Sequence, residues 1–433
     1  MIVEIKQWES KYIRDFEVVR SNEVSEEKLY RLFTGMYYNF TSENDIELFS
    51  ISYGRSNGFC INANSHVGII VYDELTLFIN SMVPELSLGK ILYLNSLAED
   101  VSSASDAKKV IVENLNDEDN IAAIDYFVIS MMNAVEEIHA NGLISELKSK
   151  SAEMNRIVGK LDIKNQITKS PAYEKFYVEK TESDVDILIN QIIKKAIAVA
   201  MEKTTINWAR PLLNSMLGYF SEVSDLQDIE ERFPDISEYT LIKRNDYENA
   251  LRFSKFILFG FDPLEGDDAS NFPEFLLDMN EVFEYYVNVG LKNIFKEGYY
   301  NKRVFSLGVV GSTDIPIERK YIELDGFYDI GNSRVVVDTK NKYRTVLDRS
   351  EPDFMAANPD IYQQYYYASR VNAKNIVLVY PSSKRKTAPI GHYQLNFENN
   401  KDVDLYFWAL QISSTPKENR RALIALAKFI ESL

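Results

Sequence analysis

Two acids and a lysine, in Leu324-Asp325 and in Val335-Val336-Val337-Asp338-Thr339-Lys340, are spaced so that they could act on one substrate. The segment Tyr321 to Lys340 reads as a hairpin, because two β-rich runs flank the turn formers Gly331 and Asn332. Asp325 lies six residues before Gly331 and Asp338 six residues after Asn332. A two-residue turn therefore seats the carboxylates directly opposite each other, with Cβ atoms about 4.5 to 5.5 Å apart. Like charges so placed repel, and a hairpin serving only structure gains by losing one of them. A bound cation reverses that sign. Mg²⁺ takes oxygen ligands at about 2.0 to 2.1 Å and can sit between two such acids while still facing a phosphate. Lys340, two residues after Asp338, falls on the same strand face, where it can steer a water.

The elements around the hairpin must hold these groups. Upstream, Leu277 to Val287 predicts a helix on which Asn280 and Glu284 lie one turn apart, while Phe283, Val287 and Leu291 form an apolar stripe. Glu284 can thus look toward the hairpin. Downstream, Asn358-Pro359 opens a helix with a cap followed by Pro, and Gln363 and Tyr367 lie four apart on one face of it. Ile376 to Pro381 reads as a buried strand, Val403 to Gln411 as an alternating strand, and Pro416 to Leu433 as a closing helix.

These blocks, in this order, resemble the PD-(D/E)xK nuclease superfamily, with Asp325 and Asp338-Thr339-Lys340 in the motif positions. Within it, Leu277 to Val287 resembles the helix before the motif in the McrC family, the nuclease subunit of McrBC-type restriction systems directed at 5-methylcytosine. Ile361-Tyr362-Gln363 with Tyr367 is similar to that family's QxxxY element, and Gly159 to Ile163 and Val185 to Asn190 are similar to further McrC blocks. The resemblance runs from about residue 64 to the end. It implies an α/β fold with a restriction-endonuclease-like core of order αβββαβ, and Mg²⁺ held by Asp325, Asp338 and Glu284. It also implies a lysine, Lys340, that positions water, and supporting roles for Gln363 and Tyr367. An McrB-like AAA+ GTPase hexamer would be the partner, GTP would enter only through it, and the substrate would be methylated DNA. One departure is Leu324, which stands where the motif has Pro and so removes a fixed φ.

The 433 residues allow two or three domains. A β-rich docking domain is expected over 1–100, a mainly helical connecting region over 101–260, and the endonuclease domain over 261–433. In the first, strands are expected at Glu47–Tyr53, Gly58–Ile61, Val67–Tyr72 and Leu75–Ile79, with a helix over Ser25–Tyr38. In the second, helices are expected at Ile121–His139, Asp184–Lys203, Trp208–Tyr219 and Asp246–Phe259, with short strands between Glu153 and Val178. Residues 101–120, 261–271 and 343–357 read as connector and loops.

A single Cys60 excludes a disulfide framework and cysteine zinc clusters, and three scattered histidines make imidazole metal sites and Ser-His triads poor explanations. There is no long apolar run or signal-peptide pattern, so no membrane role and a cytoplasmic location are expected. No G-x-x-x-x-G-K-[ST] sequence occurs, so a nucleotide motor would have to be another chain. A net charge of −17 argues against tight unaided DNA binding. Locally, Lys340, Lys342, Arg344, Arg349, Arg370, Lys374, Lys384, Arg385 and Lys386 form a basic run beside the acids. Two other readings remain open: a regulatory subunit of an AAA+ assembly with a degenerate nuclease domain, and a stand-alone RecB-like nuclease.

Overall fold

The N-terminal strands are short, and apolar residues bury one or both of their faces. They are β1 (Ile2–Lys6), β2 (Ser10–Tyr12), β3 (Phe49–Gly54), β4 (Gly58–Ala63), β5 (His66–Tyr72) and β6 (Leu75–Asn80). The computed structural model describes residues 1–44, 47–55, 57–97, 111, 114, 122–169, 175–227, 244–259, 275–312, 315–331, 333–342, 358–395 and 402–433. These fall into two units, Met1–Phe127 with Asp262–Leu433, and Val128–Phe261. The expected loops at 261–271 and 343–357, Asn332, and all of the connector at 101–120 except Ile111 and Asn114 lie outside the described residues.

In the first unit β5 and β6, both expected as strands, form a hairpin, with Tyr72 opposite Leu75 and Asp73 at φ +53° in the turn. The helix Glu26–Asn44 lays Leu29, Phe33 and Met36 on Phe16, Phe49, Ile61, Ile70 and Leu77. A strand that the sequence reading assigned to the start of a helix completes this sheet. Strand β10 (Phe275–Asp278) pairs antiparallel with β5, from Phe275 opposite Ile69 to Asp278 opposite His66, giving the order β1-β6-β5-β10. The N-terminal sheet thus takes its edge strand from beyond residue 261.

The second unit holds a three-stranded sheet beside its helices. Strands β7 (Glu146–Met154) and β9 (Phe176–Asp184) pair along their whole lengths, and β8 (Lys160–Leu161) joins the far side of β9. Helices Leu188–Lys203, Ala209–Tyr219 and Asn245–Phe259 follow where periodicity places them. The first of these buries Ile189, Ile192, Ile193, Ala196, Ile197 and Ala200 along one stripe.

The second large sheet of the first unit runs β11 (Tyr299–Ser312), β12 (Ile315–Ile330), β13 (Ser333–Thr339), β14 (Asn375–Ser382), β16 (Val403–Gln411), β15 (Gly391–Leu395). The first three strands are antiparallel, and β13, β14 and β16 are parallel. Parallel neighbours need a crossover, and the helix Asn358–Val371 lies in the one between β13 and β14. The helix Met279–Phe295 precedes β11 and the helix Pro416–Glu431 follows β16. Helix, three strands, helix, strand is the order expected from the sequence. The central strands are buried along their lengths, which is why Val335-Val336-Val337 and Ile376-Val377-Leu378-Val379 read as apolar runs without alternation. No described helix is long and apolar enough to cross a membrane.

Candidate active site

The hairpin register is the one the counting required. Ile330 faces Ser333 across a two-residue turn, and the ladder runs to Gly326 opposite Val337. The paired rungs end one residue short of Asp325 and Asp338, whose carboxylates are close enough for the charge of one to raise the other. Gly331 opens the turn at φ +62°, where a side chain would be strained. On its other side Asp338 lies in the parallel ladder opposite Leu378, so it sits at the junction of the antiparallel and parallel halves of the sheet.

Asp338 is buried, 3% exposed. Burial first, and then the charge of Asp325, push its carboxyl up to about 7, against the pull of Lys340 and Gln364. Lys340 Nζ lies 2.8 Å from Asp338 Oδ2. Burial pulls the Lys340 ammonium down, but Asp338, Asp325 and Asp360 outweigh that and leave it raised. The backbone of Lys340 is fixed as well, its N–H donating to Val379 O at 2.9 Å.

The helix Met279–Phe295 brings in the third expected acid. Asp278 caps it, accepting from Asn280 N at 2.8 Å. Burial, then Asp325, raise the Glu284 carboxyl, so the three acids Glu284, Asp325 and Asp338 form one electrostatic chain with Asp325 at its middle. Asn280 Oδ1 accepts from Asn341 Nδ2 at 3.2 Å, which ties the helix start to the residue after Lys340.

Gln363 and Tyr367 do not join them. The Gln363 side chain is exposed and donates from Nε2 to Tyr367 Oη at 2.8 Å, so the two pair with each other. Its neighbour Gln364 is fully buried and close enough to Asp338 to pull its carboxyl down, although neither of its amide atoms has a hydrogen-bond partner. The signal for this was present in the sequence, since Ile361, Gln364, Ala368 and Val371 fall on one helical stripe, and three of these four belong to the apolar cluster or pack against it.

Other groups at the site were not anticipated. Thr339 N and Oγ1 both donate to Asp325 Oδ2, each at 3.1 Å. Asn288, buried, accepts from Tyr299 Oη at 2.6 Å, and a Cβ on Gly326 would strike both of those side chains. Leu324 and Phe327, an odd number of residues apart, both lie in the same apolar cluster, so the side chains between them do not alternate strictly. Lys302 lies between Asn301 and Arg303, which face Gly326 and Leu324. Of the basic run, Lys340, Lys342 and Arg385 are paired with Asp338, Asp360 and Glu418, and Arg344 and Arg349 lie outside the described residues.

Among the described residues no three His, Cys, Asp or Glu side chains gather closely enough to form a ready-made metal cluster. Asp325 and Asp338 nonetheless suit a hard cation chemically: they offer only oxygen donors, and the buried carboxylate is held against its charged form by burial and by its neighbour. Asp325 and Asp338 fit such an ion as a pair, with Glu284 within electrostatic reach.

Fold and site together define an α/β protein with a carboxylate pair and lysine at a sheet junction. The family model described as "McrBC 5-methylcytosine restriction system component" matches residues 61–381. The chain belongs to that family. Two solved structures are similar to it. One is described as a refined half-complex from the tetradecameric assembly of Thermococcus gammatolerans McrB AAA+ hexamers with bound McrC, at 17% identity over 98% of this chain and 100% of that chain, TM-score 0.48. The other is the Thermococcus gammatolerans McrBC complex, at 17% identity over 69% of this chain and 88% of that chain, TM-score 0.31. No curated protein matches.

Proposed function

We propose that the chain is the McrC-like nuclease subunit of a modification-dependent restriction complex, with a PD-(D/E)xK core that hydrolyses DNA phosphodiesters with Mg²⁺. The observation that carries this reading is Asp338, buried within electrostatic reach of Asp325 and with Lys340 2.8 Å away, in a chain of the McrBC family. Asp325 and Asp338 would hold the ion, with Glu284 as a further or outer ligand. Bound there, the ion would offset charge on the phosphate and acidify a water. Lys340 orients the attacking water and offsets negative charge as the phosphate reacts. Thr339 fixes Asp325, and Gln364 takes the place beside Asp338 that the motif resemblance gave to Gln363.

The partner in this reading is an McrB-like AAA+ GTPase hexamer, docked through the β-rich region 1–100, with 101–260 connecting and 261–433 cleaving methylated DNA in the cytoplasm. The test is reconstitution. Cleavage of modified DNA should require this chain, the motor, GTP and Mg²⁺ together, and Asp338→Ala should abolish cleavage while keeping stimulation of GTP hydrolysis. Cleavage by the chain alone with Mg²⁺ would favour the stand-alone nuclease. Stimulation without cleavage on any modified DNA would favour the regulatory subunit. Removing residues before Glu153 is a poor test, because it strips β5 from β10 and Ser65 O from Met279 N at the head of the site helix.

A further inference from the structure

Lys302 has an anomalous backbone for a lysine in a strand. Its φ is +51°, a region that residues other than Gly, Asn and Asp seldom enter. In the β11–β12 ladder Asn301 faces Gly326 and Arg303 faces Leu324, which leaves Lys302 opposite Asp325. Its Nζ donates to Tyr285 Oη at 2.9 Å and lies 3.5 Å from Glu284 Oε1. The same ammonium is 4.3 Å from the centre of the Tyr285 ring. Two consecutive residues of the site helix thus hold one cation across from the central acid. Strained backbone that persists at such a place is maintained by its surroundings and is common at functional sites.

An ammonium and a divalent cation cannot both approach one carboxylate closely without repelling each other. The lysine stem is flexible, so its head can swing away from Glu284. We propose that Lys302 is a positioning residue that acts as the placeholder cation of this site: in the metal-free chain it neutralises Glu284, and it yields to a divalent ion when the carboxylates take one. This rests on the metal-nuclease reading and adds to it a built-in competitor that sets how tightly the ion is held.

The test is titration of the full-length chain with Mn²⁺ alone, by calorimetry without DNA. Lys302→Asn and Lys302→Gly both accept a left-handed backbone, so the fold should survive in each. Both should bind Mn²⁺ about threefold to tenfold more tightly than wild type, the scale of losing one partly exposed ion pair that is also hydrogen-bonded. Tyr285→Phe, which keeps the ring and removes the hydroxyl, should shift affinity the same way by less. In EDTA the Lys302 variants should melt lower than wild type, and Mn²⁺ should raise their melting points by more. Unchanged or weaker Mn²⁺ binding in variants that remain folded, with binding still lost in Asp338→Asn, would reduce Lys302 to a clasp between helix and strand and leave the metal site standing. No Mn²⁺ binding by wild type at all would overturn both.

Discussion

Thr339, the residue between Asp338 and Lys340, donates its backbone N–H and its hydroxyl to the same oxygen, Asp325 Oδ2, each at 3.1 Å. The middle position of the acid-x-lysine sequence is therefore what holds the opposing acid in place. Thr339→Val keeps shape and the backbone donor but removes the hydroxyl. It should cost about 1.5 to 3 kcal/mol of stability, the worth of a hydrogen bond to a charged group, and weaken Mn²⁺ binding severalfold by calorimetry. Unaltered metal affinity would mean that the N–H alone fixes Asp325.

Asp338 makes stability depend on pH in a direction opposite to most carboxylates. Its folded value of about 7 lies above that of an unfolded aspartate, so between pH about 4 and 7 the folded chain binds the extra proton. The chain should then lose stability as pH rises through that window, by a few kcal/mol at most at roughly 1.4 kcal/mol per unit. Asp338→Asn should flatten the loss. Melting in EDTA from pH 4 to 8 measures it: the advantage of Asp338→Asn over wild type should grow with pH and level off above 7. Excess Mg²⁺ should reverse the loss in wild type only.

Gly326 gives up its side chain to Asn288 and Tyr299, which meet where its Cβ would stand. Gly326→Ala should therefore cost about 1 to 3 kcal/mol through overpacking and lower cleavage by displacing the adjacent Asp325. Gly331→Ala is the contrast, since nothing lies near its Cβ and only φ is strained. That change should cost about 1 kcal/mol and leave cleavage close to wild type. Equal loss of cleavage in the two variants would argue against the Asn288–Tyr299 contact as the reason.

Two adjacent glutamines separate motif from geometry. Gln364→Leu preserves volume but removes the buried amide beside Asp338, and should lower cleavage by the reconstituted complex about tenfold or more, as loss of groups around a metal site commonly does. Gln363→Ala, at an exposed residue, should stay near wild type. The reverse result would return the role to the motif position.

The sequence by itself determined the parts whose information is local. Counting about the Gly331 turn gave the hairpin register from Ile330 opposite Ser333 to Gly326 opposite Val337, because a two-residue turn leaves a single register. The apolar runs marked β13 and β14, and helical periodicity with caps placed the helices at Met279 and Asn358. Glu284 was legible because it lies a turn beyond Asn280 on a capped helix.

Only the tertiary structure decided what depends on distant segments. Phe275–Asp278 is a strand because β5 offers it an open edge, and four residues carry too little pattern to show that alone. Gln364 is buried and Gln363 exposed because the helix turns its apolar stripe inward, a burial that motif spacing does not reveal. Lys302 reached Glu284 only through a left-handed residue in β11, a conformation that a lysine's own preferences oppose and that the surrounding packing imposes.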